Sequence, residues 1–342
     1  MNINLIGIDL AKRVFQLCAV SATNKVIFNR QVSRAKLAET LAQIPPCLVA
    51  MEACASAHYW GRRFQAMGHE VRLIPAQHVK AFVRVNKNDA NDALAITEAV
   101  QRPNLHCVRV KSAEQQDLAV LHRVRQRSVE QRTAIINQLR GLAAEYGVIF
   151  PKSRQQLMAL LPEALEDGAN ELTVIARQML AELGEEIRQL HNRVEQITQR
   201  LEQLTVHNDT LVRLRTIPGF GPIVASAFWA AVGDGLQYKN GRALAAATGL
   251  VPRQSSSGGK IRLGKITKNG DRYLRYQLIN GARALVVRAA QRDDAMGHWL
   301  TQLQARSSFN NAVTAMANKL ARIGWRVLTS KQAFDLNKAF AG

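Results

Sequence analysis

Acidic residues are scarce toward the end of the chain. Residues 211–342 hold 5 Asp/Glu against 20 Lys/Arg, while residues 1–112 hold 7 against 15 and residues 113–210 hold 14 against 11. A segment with that balance repels itself unless a polyanion neutralises it, so nucleic acid is the expected partner. Long apolar runs are missing too. None approaches the ~20 residues needed to span a bilayer, so no membrane-spanning helix is expected. The first apolar run, Ile3–Ile8, is short and Asp9 interrupts it, which argues against a secretory signal. Cysteine is limited to Cys18, Cys47, Cys54 and Cys107, without metal-ligand or CxxC spacing. They read as buried free thiols in a reducing cytoplasm. What is present, 47% apolar and 21% charged residues over 342 positions, suits a folded chain of two or three domains.

Residues 1–112 read as a mixed α/β sheet. Strands are predicted over Asn4–Ile8, Val14–Val20 and Val26–Val32, then a helix near Arg34–Gln43 stopped by Pro45-Pro46. Cys47–Met51 is a continuous apolar run, the pattern of a strand buried on both faces, and it ends in Glu52. A helix near Ala55–Met67, a strand Glu70–Ile74 and a helix near Asp89–Gln101 follow.

In sheets of this kind chemistry gathers at the carboxyl ends of parallel strands, where Asp9 and Glu52 both fall. The stretch Lys87-Asn88-Asp89-Ala90-Asn91-Asp92-Ala93 arrives after the last strand. Its two aspartates are three apart and share a helix face. One reading is capping, with Asp89 at the helix N-terminus and Asp92 in the favourable field of its dipole. The other is a hard divalent cation, Mg²⁺ or Mn²⁺, held by carboxylates from separate segments. Four acids brought together would repel without metal, which argues for one or two Mg²⁺ ions and phosphoryl chemistry. The phosphate loop of sugar kinases is not matched, because Leu10-Ala11-Lys12 offers neither Gly nor Ser/Thr after Asp9.

Residues 113–210 carry two long helical stretches. In the second, Ala176, Leu180, Leu183, Ile187, Leu190, Val194, Ile197, Leu201 and Leu204 alternate steps of four and three, a heptad seam. The seam fits a helical hairpin within the chain, a dimerising coiled coil, or a four-helix arrangement that satisfies both. His122, His191 and His207 read as surface or seam-edge residues.

In residues 211–342, Ile217-Pro218-Gly219-Phe220-Gly221-Pro222 reads as a helix–hairpin–helix turn whose glycines let backbone N–H groups approach phosphate. Next comes Gly249-Leu250-Val251-Pro252, then Ser255-Ser256-Ser257-Gly258-Gly259. That loop runs into Lys260, Arg262, Lys265, Lys268, Arg272 and Arg275, candidate nucleic-acid contacts with the single acid Asp271 among them. A Ser/Gly-rich loop is either flexible surface or, beside such a patch, the seat of a serine nucleophile. No Ser-His-Asp set or GxSxG elbow accompanies it.

These fragments together resemble the DEDD transposases of the insertion-sequence one-ten family, which also includes Piv-type site-specific DNA invertases. The resemblance rests on Ile8-Asp9-Leu10-Ala11-Lys12, Met51-Glu52-Ala53, the Lys87–Ala93 stretch, Ile217–Gly221, Gly249–Pro252, Ser257-Gly258 and Ala317-Asn318-Lys319-Leu320. It implies an RNase H-like (RuvC-like) α/β domain over residues 1–112 with Asp9, Glu52, Asp89 and Asp92 as the Mg²⁺-binding catalytic tetrad. It further implies a coiled-coil dimerisation region over 113–210, and a mainly α transposase domain over 211–342 with Ser257 as nucleophile. The implied activity is DNA cleavage and strand exchange through a phosphoserine, on donor and target double-stranded DNA chosen by a bridge RNA. The implied assembly is a dimer, or a tetramer at synapsis, in the bacterial cytoplasm and on the nucleoid when acting. One departure is Glu52-Ala53-Cys54-Ala55, where the family commonly has Glu-Ala-Thr-Gly. The alternatives are a Piv-like invertase or a metal-dependent Holliday-junction nuclease in which water attacks, and a non-catalytic nucleic-acid binder. Ser255 and Ser256 stand beside Ser257 as rival hydroxyls.

Overall fold

The computed structural model describes residues 2–82, 88–103 and 105–340; Lys87 of the aspartate motif lies outside the described residues. The chain forms two compact units, one of residues 1–116 with 235–239 and the other of residues 117–234 with 240–342.

The first unit is built on β1 (Leu5–Asp9), β2 (Val14–Val20), β3 (Val26–Ser33), β4 (Leu48–Glu52) and β5 (Glu70–Ile74). They form one sheet in the order β3-β2-β1-β4-β5. β1 runs antiparallel to β2 and parallel to β4, and β4 runs parallel to β5. The strands thus fall where the apolar runs placed them, and the sheet is mixed as expected. α1 (Leu37–Ala42), α2 (Ala57–Ala66), α3 (Ala76–Val79) and α4 (Asp89–Val100) complete the unit.

Alternation along β1 explains the layering. Ile6 and Ile8 pack with Val49, Met51, Leu37, Trp60 and Phe64 on the α1/α2 face. Leu5, with Ala50 and Cys18, packs with Ala93, Ile96 and Val100 of α4 on the other face. Both faces of β1 are thus covered, so Leu5, Ile6 and Ile8 read as a run rather than an alternation. Gly7 faces α4 at closest approach, since a Cβ there would lie 2.6 Å from the Ala93 carbonyl oxygen.

The second unit is mostly helical. Its elements are α5 (Ala113–Ala144, starting in the first unit), α6 (Arg154–Glu166), α7 (Val174–Val206), α8 (Asp209–Arg215), α9 (Pro222–Val232) and α10 (Gly241–Ala247). The ribbon β6 (Pro252–Gln254) and β7 (Leu263–Ile266) follows, then α11 (Arg272–Val287), α12 (Ala295–Arg306), α13 (Phe309–Ser330) and α14 (Leu336–Phe340). α5 and α7 lie antiparallel: Arg125 donates to Thr198 at 2.8 Å and Arg132 to His191 at 3.0 Å. In the heptad seam, Ala176, Leu180, Ile187, Val194 and Leu201 are buried within the chain. The interleaved Leu183, Leu190 and Ile197 are only half-buried, and Leu204 is exposed. No described helix is long and apolar enough to cross a membrane.

Candidate functional site

The carboxyl ends of β1 and β4 lie side by side. Ile8 pairs with Met51, so Asp9 and Glu52 are the next residues of two neighbouring parallel strands. Asp9 has the parity of Gly7, and Glu52 that of Ala50, so both side chains project from the α4 face of the sheet. The Cys54 thiol senses both: its pKa is raised by burial first, then by the charges of Glu52 and Asp9.

α4 brings the other two acids to this face. The capping role expected of Asp89 belongs to Asn88, whose side chain accepts from the Asn91 N–H at 2.8 Å. Neither aspartate is needed as the cap, so both are left on the first turn, Asp89 exposed and Asp92 half-buried. That turn is anchored over the sheet by Asn29, which donates to the Ala90 carbonyl at 3.0 Å. Asp9 and Glu52 thus end two strands of the sheet on which α4, bearing Asp89 and Asp92 in its first turn, is packed. Among the described residues, no three His, Cys, Asp or Glu side chains close into a metal-holding group. Four carboxylates are nonetheless the oxygen-donor chemistry that suits a hard divalent cation.

Ser257 sits at a hairpin tip in the second unit. β6 and β7 pair antiparallel, and the ladder continues through Ser255 N–H to Arg262 carbonyl (3.0 Å) to a last bridge between Ser257 and Lys260. The turn Ser257-Gly258-Gly259-Lys260 closes with the Lys260 N–H donating to the Ser257 carbonyl at 3.1 Å. Gly258 and Gly259 have φ of 57° and 75°, the left-handed pair that a tight two-residue hairpin turn demands. The three serines are not equivalent. The Ser256 hydroxyl accepts from the Arg262 N–H at 3.3 Å and the Gln254 amide at 3.0 Å. Ser255 and Ser257 share the opposite side of the ribbon, and Ser257 alone is at the turn.

Lys260, Arg262, Lys265, Lys268 and Arg272 are exposed, whereas Arg275 is not, which corrects its reading as a nucleic-acid contact. Arg275 is 8% exposed and donates to the carbonyls of Thr248 (3.1 Å) and Asn269 (2.7 Å). It ties the loop after β7 to the end of α10. Asp271 is spent as the cap of α11, accepting from the N–H groups of Tyr273 and Leu274. Asp294 and Asp335 likewise start α12 and α14.

Packing explains one glycine of the Ile217–Pro222 turn and corrects the reading of His122. Gly219 has φ of 84°, and its carbonyl oxygen would lie 2.3 Å from a Cβ at Gly281. That glycine allows a close crossing with α11, while nothing lies within 4 Å of a Cβ built at Gly221. His122 is no surface residue: it is 2% exposed. Its Nδ1 lies 2.9 Å from the Tyr273 hydroxyl and its Nε2 2.9 Å from Ser226 Oγ. Ser226 donates to the Pro222 carbonyl at 2.6 Å, so Nε2–H donates to Ser226 while Nδ1 accepts from Tyr273. Burial, then Arg125, lowers the His122 pKa to about 4, and burial raises that of Tyr273 to about 12. Sequence offered no signal for this, because the partners lie 104 and 151 residues away.

Comparison with known proteins bears on both sites. Residues 6–148 match the DEDD transposase family of the IS110 type, and residues 212–296 match the transposase IS116/IS110/IS902 family. A probable family 20 transposase of Pseudomonas aeruginosa is 45% identical over 98% of this chain and 99% of its own length. The chain belongs to the IS116/IS110/IS902 transposase family. The Coxiella burnetii transposase for insertion sequence element IS1111A is 40% identical, over 97% of this chain and 92% of its own. The Yersinia enterocolitica transposase for element IS1328 is 38% identical, over 98% and 99%. Within this transposase, the first matched segment contains Asp9, Glu52, Asp89 and Asp92, and the second contains Ser257 with its ribbon.

Proposed function

We propose that this transposase cuts and rejoins DNA strands through a 5′-phosphoserine on Ser257, assisted by Mg²⁺ (or Mn²⁺) held by Asp9, Glu52, Asp89 and Asp92. The observation that supports the reading most is the position of Asp9 and Glu52 at the ends of two neighbouring parallel strands, with α4, which starts at Asp89, packed over the same sheet. The sheet order, with three antiparallel strands followed by two parallel additions, supports an RNase H-like reading of the first unit. A bound Mg²⁺ would supply positive charge to the scissile phosphate and to the oxygens entering and leaving it.

In the first step the Ser257 hydroxyl, losing its proton to solvent or a neighbouring base, forms a bond to phosphorus. The bond to the 3′-oxygen breaks, and that oxygen leaves as a 3′-hydroxyl after taking up a proton. In the second step a 3′-hydroxyl from another strand attacks the same phosphorus and releases the serine. No bond energy is lost to water, so rejoining needs no nucleotide triphosphate or other energy source. Lys260, Arg262 and Lys265 flank the hairpin tip and would hold the DNA backbone. The element's own bridge RNA would choose donor and target sites. The half-buried row Leu183, Leu190, Ile197 and Leu204 on α7 would be covered by the same row of a second copy, giving a coiled-coil dimer.

The test is trapping of the adduct. Incubation with a nicked-site DNA and guide RNA should leave a strand linked to Ser257; Ser257→Ala should form no adduct, and neither should Asp89→Ala. An adduct mapped to Ser255, or strand exchange by Ser257→Ala, would defeat the mechanism.

A further inference from the structure

The second unit contains a cavity of about 830 Å³ between α10, α13 and the segment leading into α14. That size lies within the roughly 300–1,000 Å³ typical of small-ligand sites. We propose that it binds an unpaired nucleotide of a nucleic-acid strand, phosphate on the arginines and base against the ring of Trp325. The inference rests on the nucleic-acid reading above but involves none of the ribbon residues.

Four observations lead there. First, the charge is one-sided: Arg242, Arg322, Arg326 and Lys338 line the cavity against the single acid Asp335. Asp335 is already engaged by Lys338 at 3.5 Å and by the Lys338 N–H. The three arginines are exposed, and no carboxylate pairs with any of them among the described residues. Second, their mount is rigid. Lys319, Arg322 and Arg326 recur at helical spacing on one face of α13. A Cβ on Gly241 would lie 3.0 Å from the Arg322 Cα, so the start of α10, whose next residue is Arg242, packs backbone-close on α13. Third, rings accompany the cations. Trp325 and Phe334, both half-buried, line the cavity beside the arginines. Cations that track a backbone beside aromatic faces that stack bases are the pattern of single-strand binding. Fourth, the site is concave. A duplex shows only phosphates and groove edges at its surface, so a base reaches a cavity only when it has left the stack.

The experiment uses the full-length protein and two single strands of one sequence carrying 5-bromouracil, one RNA and one DNA, with the matching duplex as a third arm. Irradiation should crosslink a single strand to the peptide holding Trp325 or Phe334, and the duplex should not react there. The stronger of the RNA and DNA arms identifies the source of the nucleotide. Arg322→Gln with Arg326→Gln should abolish this crosslink and reduce the slope of log affinity against log salt by about 1.4, at ~0.7 per lost single-strand phosphate contact. Arg242→Gln, on another helix, should act in the same direction and serves if the double variant does not fold. The assignment is overturned if crosslinks map only elsewhere, if the duplex reacts equally at Trp325, or if the variants leave crosslink and slope unchanged. Those outcomes leave the transposase reading intact, because Ser257 adduct formation is scored separately. A wild-type protein that binds no nucleic acid in any arm would overturn both.

Discussion

His122 of α5 and Tyr273 of α11 share a buried hydrogen bond of 2.9 Å that ties the long helix to the first turn after the serine ribbon. A neutral imidazole is required, as the lowering of the His122 pKa to about 4 expresses. Between pH 6.5 and about 4 the unfolded chain binds a proton that the folded chain refuses. This contribution to stability is therefore complete above pH 6.5 and is lost as pH falls toward 4, by about 3 kcal/mol at ~1.36 per pKa unit. Urea midpoints measured from pH 7 to 4.5 should fall more steeply for the wild type than for His122→Gln. Parallel curves would show that His122 does not carry the effect.

The crossing of Gly219 and Gly281 gives a stability prediction. A Cβ at residue 281 would meet the Gly219 carbonyl oxygen at 2.3 Å, and backbone cannot move aside as a flexible side chain can. Gly281→Ala should cost about 1–3 kcal/mol in urea unfolding. The folded fraction should keep its salt-dependent DNA affinity, since the glycine packs and does not bind. Loss of affinity at unchanged stability would instead support a phosphate contact at this turn.

Lys265 and Arg275 separate binding from packing. Lys265→Gln should lower the slope of log affinity against log salt on duplex DNA by about 0.9, one phosphate contact, with little change in stability. Arg275→Gln should leave the slope unaltered. It should instead cost about 1–3 kcal/mol of stability, because the Thr248 and Asn269 carbonyls lose a charged donor in a buried site. Reversed outcomes would exchange the roles.

Metal binding can be read without activity. Calorimetric titration of the wild type with Mg²⁺ should show binding that Asp9→Asn and Glu52→Gln each weaken at least tenfold. In Mg²⁺-free buffer the same variants should be as stable as the wild type or slightly more so, one repulsive charge having gone. Equal Mg²⁺ affinity in all three proteins would remove the two strand-end acids from the site.

Some of this was legible in the sequence and some was not, for identifiable reasons. Asp9 and Glu52 could be placed because each terminates an apolar run, and strand ends follow from burial alone. The Asp89/Asp92 turn was legible as a helix start, but the cap is one residue earlier, at Asn88. A heptad seam reports that a helix is covered, not by what; α5 and α6 cover Ala176, Leu180 and Ile187 of one row within the chain. Arg275 was read with its charged neighbours because a run of cations does not show which member turns inward on a helix. Gly219 and His122 depend on partners in distant helices, and local pattern contains no trace of them.

The missing side chain at Gly7 has a consequence beyond packing. It lets the α4 backbone descend until the Ala93 carbonyl nearly touches the strand, with Thr97 Cγ2 equally close to the vacant Cβ position. Helix height above the sheet thereby becomes a ruler. The same rigid α4 that rests on Gly7 carries Asp92 one residue before Ala93, and Asp9 stands two residues beyond Gly7 on the strand. Any side chain at position 7 would jack the helix upward and widen the gap between the acids without altering any of them. A change invisible to an inspection of the four acids themselves would then act as a detuning of their spacing.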